Sequence, residues 1–66
     1  MTLREMRKGK KLTQCELAHC VGVTQAYICA LEVGRKKNPS IQVVRKIAAV
    51  LDVNVIHIFE ALEHAI

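Results

Sequence analysis

The sequence predicts an all-α fold of five short helices. Apolar residues recur at helical spacing in every segment, helix-start signals precede those segments, and no apolar-polar alternation runs long enough for a strand. Gly9, Gly22, Gly34, Asn38-Pro39 and Asp52 fall between the segments and mark the turns.

The first helix is expected from about Thr2 to Lys8, with Leu3 and Met6 turned inward. Thr2 with Glu5 spells a capping box: the threonine hydroxyl accepts from the amide three residues on, and the glutamate reaches back to the cap amide. Thr13 and Glu16 repeat it at the second helix. Leu12 and Leu17 are placed for a hydrophobic staple around that cap, and Val23 and Ile28 repeat the arrangement around Thr24, eleven residues later. Leu17, Ala18 and Val21 then face inward on the second helix, as do Ile28 and Leu31 on the third. Gly22 lies where the second helix must end, because glycine takes a left-handed conformation without a Cβ penalty. The fourth helix is expected to start at Ser40, after Pro39, and to carry Ile41, Val44, Ile47, Ala48 and Leu51 in one stripe. The fifth, about 54–65, is capped by Asn54 and points Val55, Ile58, Phe59 and Leu62 inward.

A chain of 66 residues makes one domain, 1–66, and at that size buries only about 60% of the surface its unfolded form exposes. Hydrophobic residues are 52%, yet no apolar run approaches the roughly 18 residues that span a bilayer, and MTLREMRKGKK is too charged for a signal-peptide core. A cytoplasmic location follows as an expectation. The net charge of +4 suits a polyanionic partner.

Three cysteines, an odd number, argue against a disulfide framework and read as small apolar side chains. Cys15 and His19 share one helical face, with Cys20 and His64 as further soft ligands, but no second pair completes four, so neither a metal nor a cofactor is expected. A redox role at Cys29 would require an activated thiolate, and sensing by Cys15, Cys20 or Cys29 stays open. No Ser/His/Asp set, phosphate-cradling loop or paired carboxylates can be assembled, so the chain is not expected to be an enzyme. His19, His57 and His64 read as surface or half-buried helix residues.

Two capped helices packed across a glycine turn, about 13–33, make a helix-turn-helix, whose second helix presents its N-terminal residues to the major groove of DNA. Its free face carries Gln25, Ala26 and Cys29, with Tyr27 and Ala30 at the edges. The run L-T-Q-x-E-L-A-x-x-V-G-V-T-Q-x-Y-I-x-x-L-E-x-G-R-K-x-N-P-S, from Leu12 to Ser40, resembles the Cro/repressor-type, or xenobiotic-response-element-type, helix-turn-helix domain. The resemblance extends from about Leu3 to Phe59. It implies a compact five-helix lambda-repressor-like domain and a sequence-specific regulator of transcription, in which a homodimer binds a two-fold operator on double-stranded DNA through a recognition helix at about 24–33.

The helix starts at Thr13, Gln14 and Thr24 offer phosphate sites, since free amides and the helix dipole favour an anion there. By the resemblance, Gln14 contacts a phosphate and braces Gln25. Gln25 is the leading base reader, because a glutamine amide can pair with N6 and N7 of adenine. Tyr27 reaches a phosphate or packs beside the turn. Ala26, Cys29 and Ala30 can touch a thymine methyl but supply few polar contacts, which shifts specificity onto Gln25, the following loop and DNA shape. In the family fold that loop, here Arg35, Lys36, Lys37 and Asn38, tracks the phosphate backbone, and Arg35 can also reach a guanine edge or the minor groove. Lys10, Lys11, Arg45 and Lys46 add general positive potential. The resemblance also implies a structural ion pair between Arg7 and Glu32. Val33 replaces a polar residue common in relatives.

Val43, Val50, Ile56 and Ile66 are surplus to a narrow core, which means either a wider core face or a partner surface. A homodimer through the fifth helix would use Ile56, Phe59, Leu62 and Ile66; alternatively Phe59 and Leu62 close the monomer core. The rival function is a protein-interaction module, such as an antitoxin or coactivator-like domain, whose fifth helix binds another protein. RNA polymerase or a toxin would be such a partner.

Overall fold

The computed structural model describes residues 1–36 and 38–63. It contains α1 (Leu3–Gly9), α2 (Gln14–Val21), α3 (Gln25–Glu32), α4 (Ile41–Leu51) and α5 (Val55–Glu63), with no strand among the described residues. All five are shorter than the roughly 12–15 residues at which isolated helices become even marginally stable in water, so caps and packing must hold them.

The caps are present at every start. Thr2 Oγ1 accepts from the Glu5 amide at 3.2 Å while Glu5 Oε1 accepts from the Thr2 amide at 2.8 Å. Thr13 and Glu16 form the same reciprocal pair at 3.0 and 2.8 Å. Thr24 accepts from the Tyr27 amide, Ser40 from the Val43 amide and Asn54 Oδ1 from the Ile56 amide. Ser40 is thus the cap, and α4 proper begins one residue later. The carboxyl group of Glu5 is held below its usual range, first because the Thr2 backbone amide donates to it and then because of the Thr2 side chain. Gly22 ends α2 in the left-handed region at φ 85°, its amide donating to Ala18 O. Asp52 does the same for α4 at φ 57°, and Lys11 sits at φ 59° between α1 and α2 without the freedom of glycine.

Every helix contributes to one core: Leu3, Leu17, Ile28, Leu31, Ile47 and Ile58 are among its fully enclosed members. α2 packs chiefly on α3, α4 lies on α5 and α2, and α1 touches α3 and α5. The buried arc of α4 is rotated from expectation. Val43 and Val50 pack against the core on one flank, whereas Ile41, on the opposite flank beyond Ala48, is 50% exposed. On α5 the small Ala61 takes the inward place next to Ile58 and Leu62, which leaves Phe59 41% exposed instead of inward. The surplus valines therefore widen the core, while Ile56 stays at the surface. Leu62 is buried, its side chain already used within the chain, so it cannot serve as a free interface residue. Ile66 and His64 lie outside the described residues. No helix among the described residues is long and apolar enough to cross a membrane.

Candidate nucleic-acid interface

Ile28 and Leu31 are fully buried and lock one side of α3 to the core. The opposite side is thereby fixed outward: Thr24, Gln25 and Ala26 are exposed at its start, and Tyr27, Cys29 and Ala30 are half-buried. The Thr24 hydroxyl satisfies one of the free first-turn amides, and the others point along the axis toward any anion placed there. Thr13, also exposed, offers a second such start on α2.

The loop after α3 is folded back onto the helix. Gly34 takes φ 83°, which lets the Lys36 amide donate to Ala30 O at 3.1 Å. That turn carries the Lys36 ammonium to 5.1 Å from the centre of the Tyr27 ring, a cation-π distance. Tyr27 itself packs against the core. Its ring therefore serves as a platform for a cation, a link between residues nine apart that neither residue type announces. Arg35 and Asn38 are exposed on the same loop; Lys37 lies outside the described residues. α5 carries Glu60 and Glu63 and no lysine or arginine among its described residues.

Behind this face is a buried polar cluster. Arg7 Nε donates to Glu32 Oε2 at 2.6 Å and Arg7 Nη2 to Oε1 at 3.3 Å, a two-pronged pair whose side chains are 8% and 3% exposed. Arg7 Nη1 donates to Leu12 O at 2.6 Å, and Gln14 Nε2 donates to Glu32 Oε1 at 3.0 Å. No buried side-chain N or O among the described residues lacks a partner. Gln14 Nε2 is thus engaged with Glu32 in the chain without DNA. This hub was half visible in the sequence, because Arg7 and Glu32 came only from the resemblance and Gln14 joins across eighteen residues.

The cysteines do not behave as core residues. Cys15 and Cys20 are exposed and Cys29 is half-buried; Leu12, Cys15, Glu16, His19 and Cys20 line a shallow hollow on the outside of α2. Among the described residues no three metal-ligating side chains converge. Val33 is 45% exposed, and nothing in the structure explains its apolar character.

A family model described as helix-turn-helix matches residues 3–58. The chain is 42% identical over 53 residues to the HTH-type transcriptional regulator SinR of Bacillus subtilis, covering 80% of this chain and 48% of that protein. It spans about half the length of the curated relatives it matches. It also resembles the N-terminal DNA binding domain of SinR from Bacillus subtilis, with TM-score 0.79 and 39% identity over 85% of this chain and 81% of that one. A structure of SinR in complex with DNA, there called the master regulator for biofilm formation, matches with the same TM-score and identity over 85% of this chain and 89% of that one.

Proposed function

The chain belongs to the helix-turn-helix family, and from that membership we propose that it is the DNA-reading part of a transcriptional regulator. The observation that carries this is the outward start of α3, Gln25 and Ala26, held rigidly beside the basic loop in a fold that matches a relative solved with DNA. α3 lies in the major groove, and Gln25 reads a base edge. Thr13, Thr24, Arg35, Lys36, Lys37 and Asn38 meet the backbone, with Tyr27 supporting Lys36. Ala26, Cys29 and Ala30 give apolar contact with the groove. The mechanism is binding without catalysis, and a cytoplasmic location suits a DNA partner.

A homodimer on a two-fold operator fits the same reading, with half-sites about 34 Å apart or at multiples of that distance. Ile56 and Phe59, both exposed, with Ile66, are its proposed contact residues. The same two side chains also suit a different protein partner, a toxin or polymerase subunit, and sedimentation at high micromolar concentration separates the two: a pure monomer removes the homodimer. For the function itself, sequences are selected from a random duplex pool at two salt concentrations with the wild type and Gln25→Ala. A two-fold motif that loses information at one base pair per half-site in the variant supports the reading, and binding with no enriched sequence overturns it.

A further inference from the structure

The six carboxylate side chains of the chain are used unevenly. Glu5 and Glu16 close capping boxes, Glu32 holds Arg7, and Asp52 lies 3.9 Å from Lys10. Glu60 and Glu63 are exposed on α5. Among the described residues Glu60 has only His57 beside it, Nδ1 to Oε1 at 3.4 Å, and Glu63 has no ion-pair partner. No lysine or arginine follows Lys46 in the sequence, so α5 carries no permanent positive charge.

These two carboxylates share a face with the apolar residues that the fold leaves uncovered. Ile56, Phe59, Glu60 and Glu63 fall at helical spacing along one side of α5, with Ile56 57% and Phe59 41% exposed. Ile58, Ala61 and Leu62 are buried on the other side, which fixes that ridge outward. One hollow beside the ridge is lined by Asn38, Pro39, Phe59, Leu62 and Glu63, and another by Met1, Met6, Val53, His57, Glu60 and Glu63. A ridge between grooves is the shape on which a second helix packs.

The homodimer named above would set this ridge against its own copy. A two-fold contact pairs a patch with itself, so Glu60 and Glu63 would approach their counterparts with no lysine or arginine on α5 to neutralise them. Like charges that face one another across an interface oppose association. A partner whose apolar side chains enter the hollows and whose basic side chains reach the two carboxylates meets no such cost. We propose that the exposed face of α5 docks a basic amphipathic helix of a different protein, with Ile56 and Phe59 as its apolar contacts and Glu60 and Glu63 as its charge partners. Two copies on a two-fold operator are then placed by their half-sites. The docking does not depend on the DNA-reading function.

The test titrates the full chain with two helical peptides, one of leucine and lysine at helical spacing and the same peptide with glutamate for lysine. NMR shifts report where each binds. The lysine peptide is expected to shift Ile56, Phe59, Glu60 and Glu63 most, and the glutamate peptide to leave α5 unmoved. Glu60→Lys with Glu63→Lys exchanges two exposed side chains between good helix formers, so the fold is retained. That double variant should weaken the lysine peptide roughly tenfold and bring the glutamate peptide onto α5. Phe59→Ser should also weaken the lysine peptide, because a purely ionic contact would not use the ring. A lysine peptide that binds elsewhere, or that binds the charge-reversed or Phe59→Ser chain as tightly as wild type, overturns the proposal. So does a wild-type chain that sediments as a dimer with its α5 resonances shifting on concentration, since a second copy would then be the occupant.

Discussion

One core runs through the whole molecule, but its two ends differ in what else joins their helices. Around the helix-turn-helix, α1, α2 and α3 are joined by directional bonds: the Arg7 fork on Glu32, its third prong on Leu12 O, and Gln14 on the same carboxylate. Across α4 and α5 the contacts are apolar, Val44, Ile47 and Leu51 against Ile58 and Leu62, with no side-chain hydrogen bond between those two helices among the described residues. The first arrangement fixes an angle, as the proposed reading of DNA requires. The second supplies burial, and it leaves Ile56 and Phe59 outside for something else to cover.

The comparison breaks most visibly at its polar end. Glu32→Ala strands the Arg7 guanidinium in a site where the side chains are 8% and 3% exposed, and should cost about 3 to 5 kcal/mol, enough to unfold much of a small domain. Thermal melting within a degree or two of wild type would remove the hub from the account. Ile58→Ala, at the apolar end, removes a fully buried side chain and should cost about 2 to 4 kcal/mol by denaturant melts. These two losses look alike in stability and should separate in function. An Arg7→Met, Glu32→Leu double variant sharpens that: a buried pair exchanged for apolar residues of similar size is often neutral, so melting should be near wild type while sequence discrimination falls.

Smaller effects follow at the turns. Lys11 occupies the left-handed region at φ 59°, so Lys11→Gly should be neutral to stabilising by up to about 1 kcal/mol in thermal melts, and clear destabilisation would contradict the strain assigned there. The smallest effect is a pH dependence. Glu5 has its folded pKa depressed by Thr2, so its contribution is present above the ordinary carboxylate range and lost as pH falls through the folded value. Comparing the acid melts of wild type and Glu5→Gln should show the two converge at low pH; a gap that widens there would contradict the sign.

Both ends were not equally legible in the sequence. The five helices and their caps follow from local signals, since a threonine followed at three residues by glutamate carries its own partner within one turn. Core stripes are legible to within one flank: spacing points Ile41 and Phe59 inward, whereas α4 buries its Val43 and Val50 flank instead and α5 turns Ala61 inward, because spacing alone leaves the rotation of a wide apolar arc undetermined. The candidate site was legible along α3, where exposure follows from the buried Ile28 and Leu31. Gln14 on Glu32 and Lys36 on Tyr27 were not, since each joins residues far apart in the chain through flexible side chains.

The most direct measurement of the reading head compares Gln25→Ala with Arg35→Ala on a selected duplex and an unrelated one, across a salt series. Gln25→Ala is expected to lose about 1 to 3 kcal/mol on the selected duplex alone with the salt slope unchanged, and Arg35→Ala to weaken both duplexes and lower the slope by about one. Two variants that weaken both duplexes equally, with the same fall in slope, would contradict it: α3 would then be one more basic surface and not the element that reads sequence.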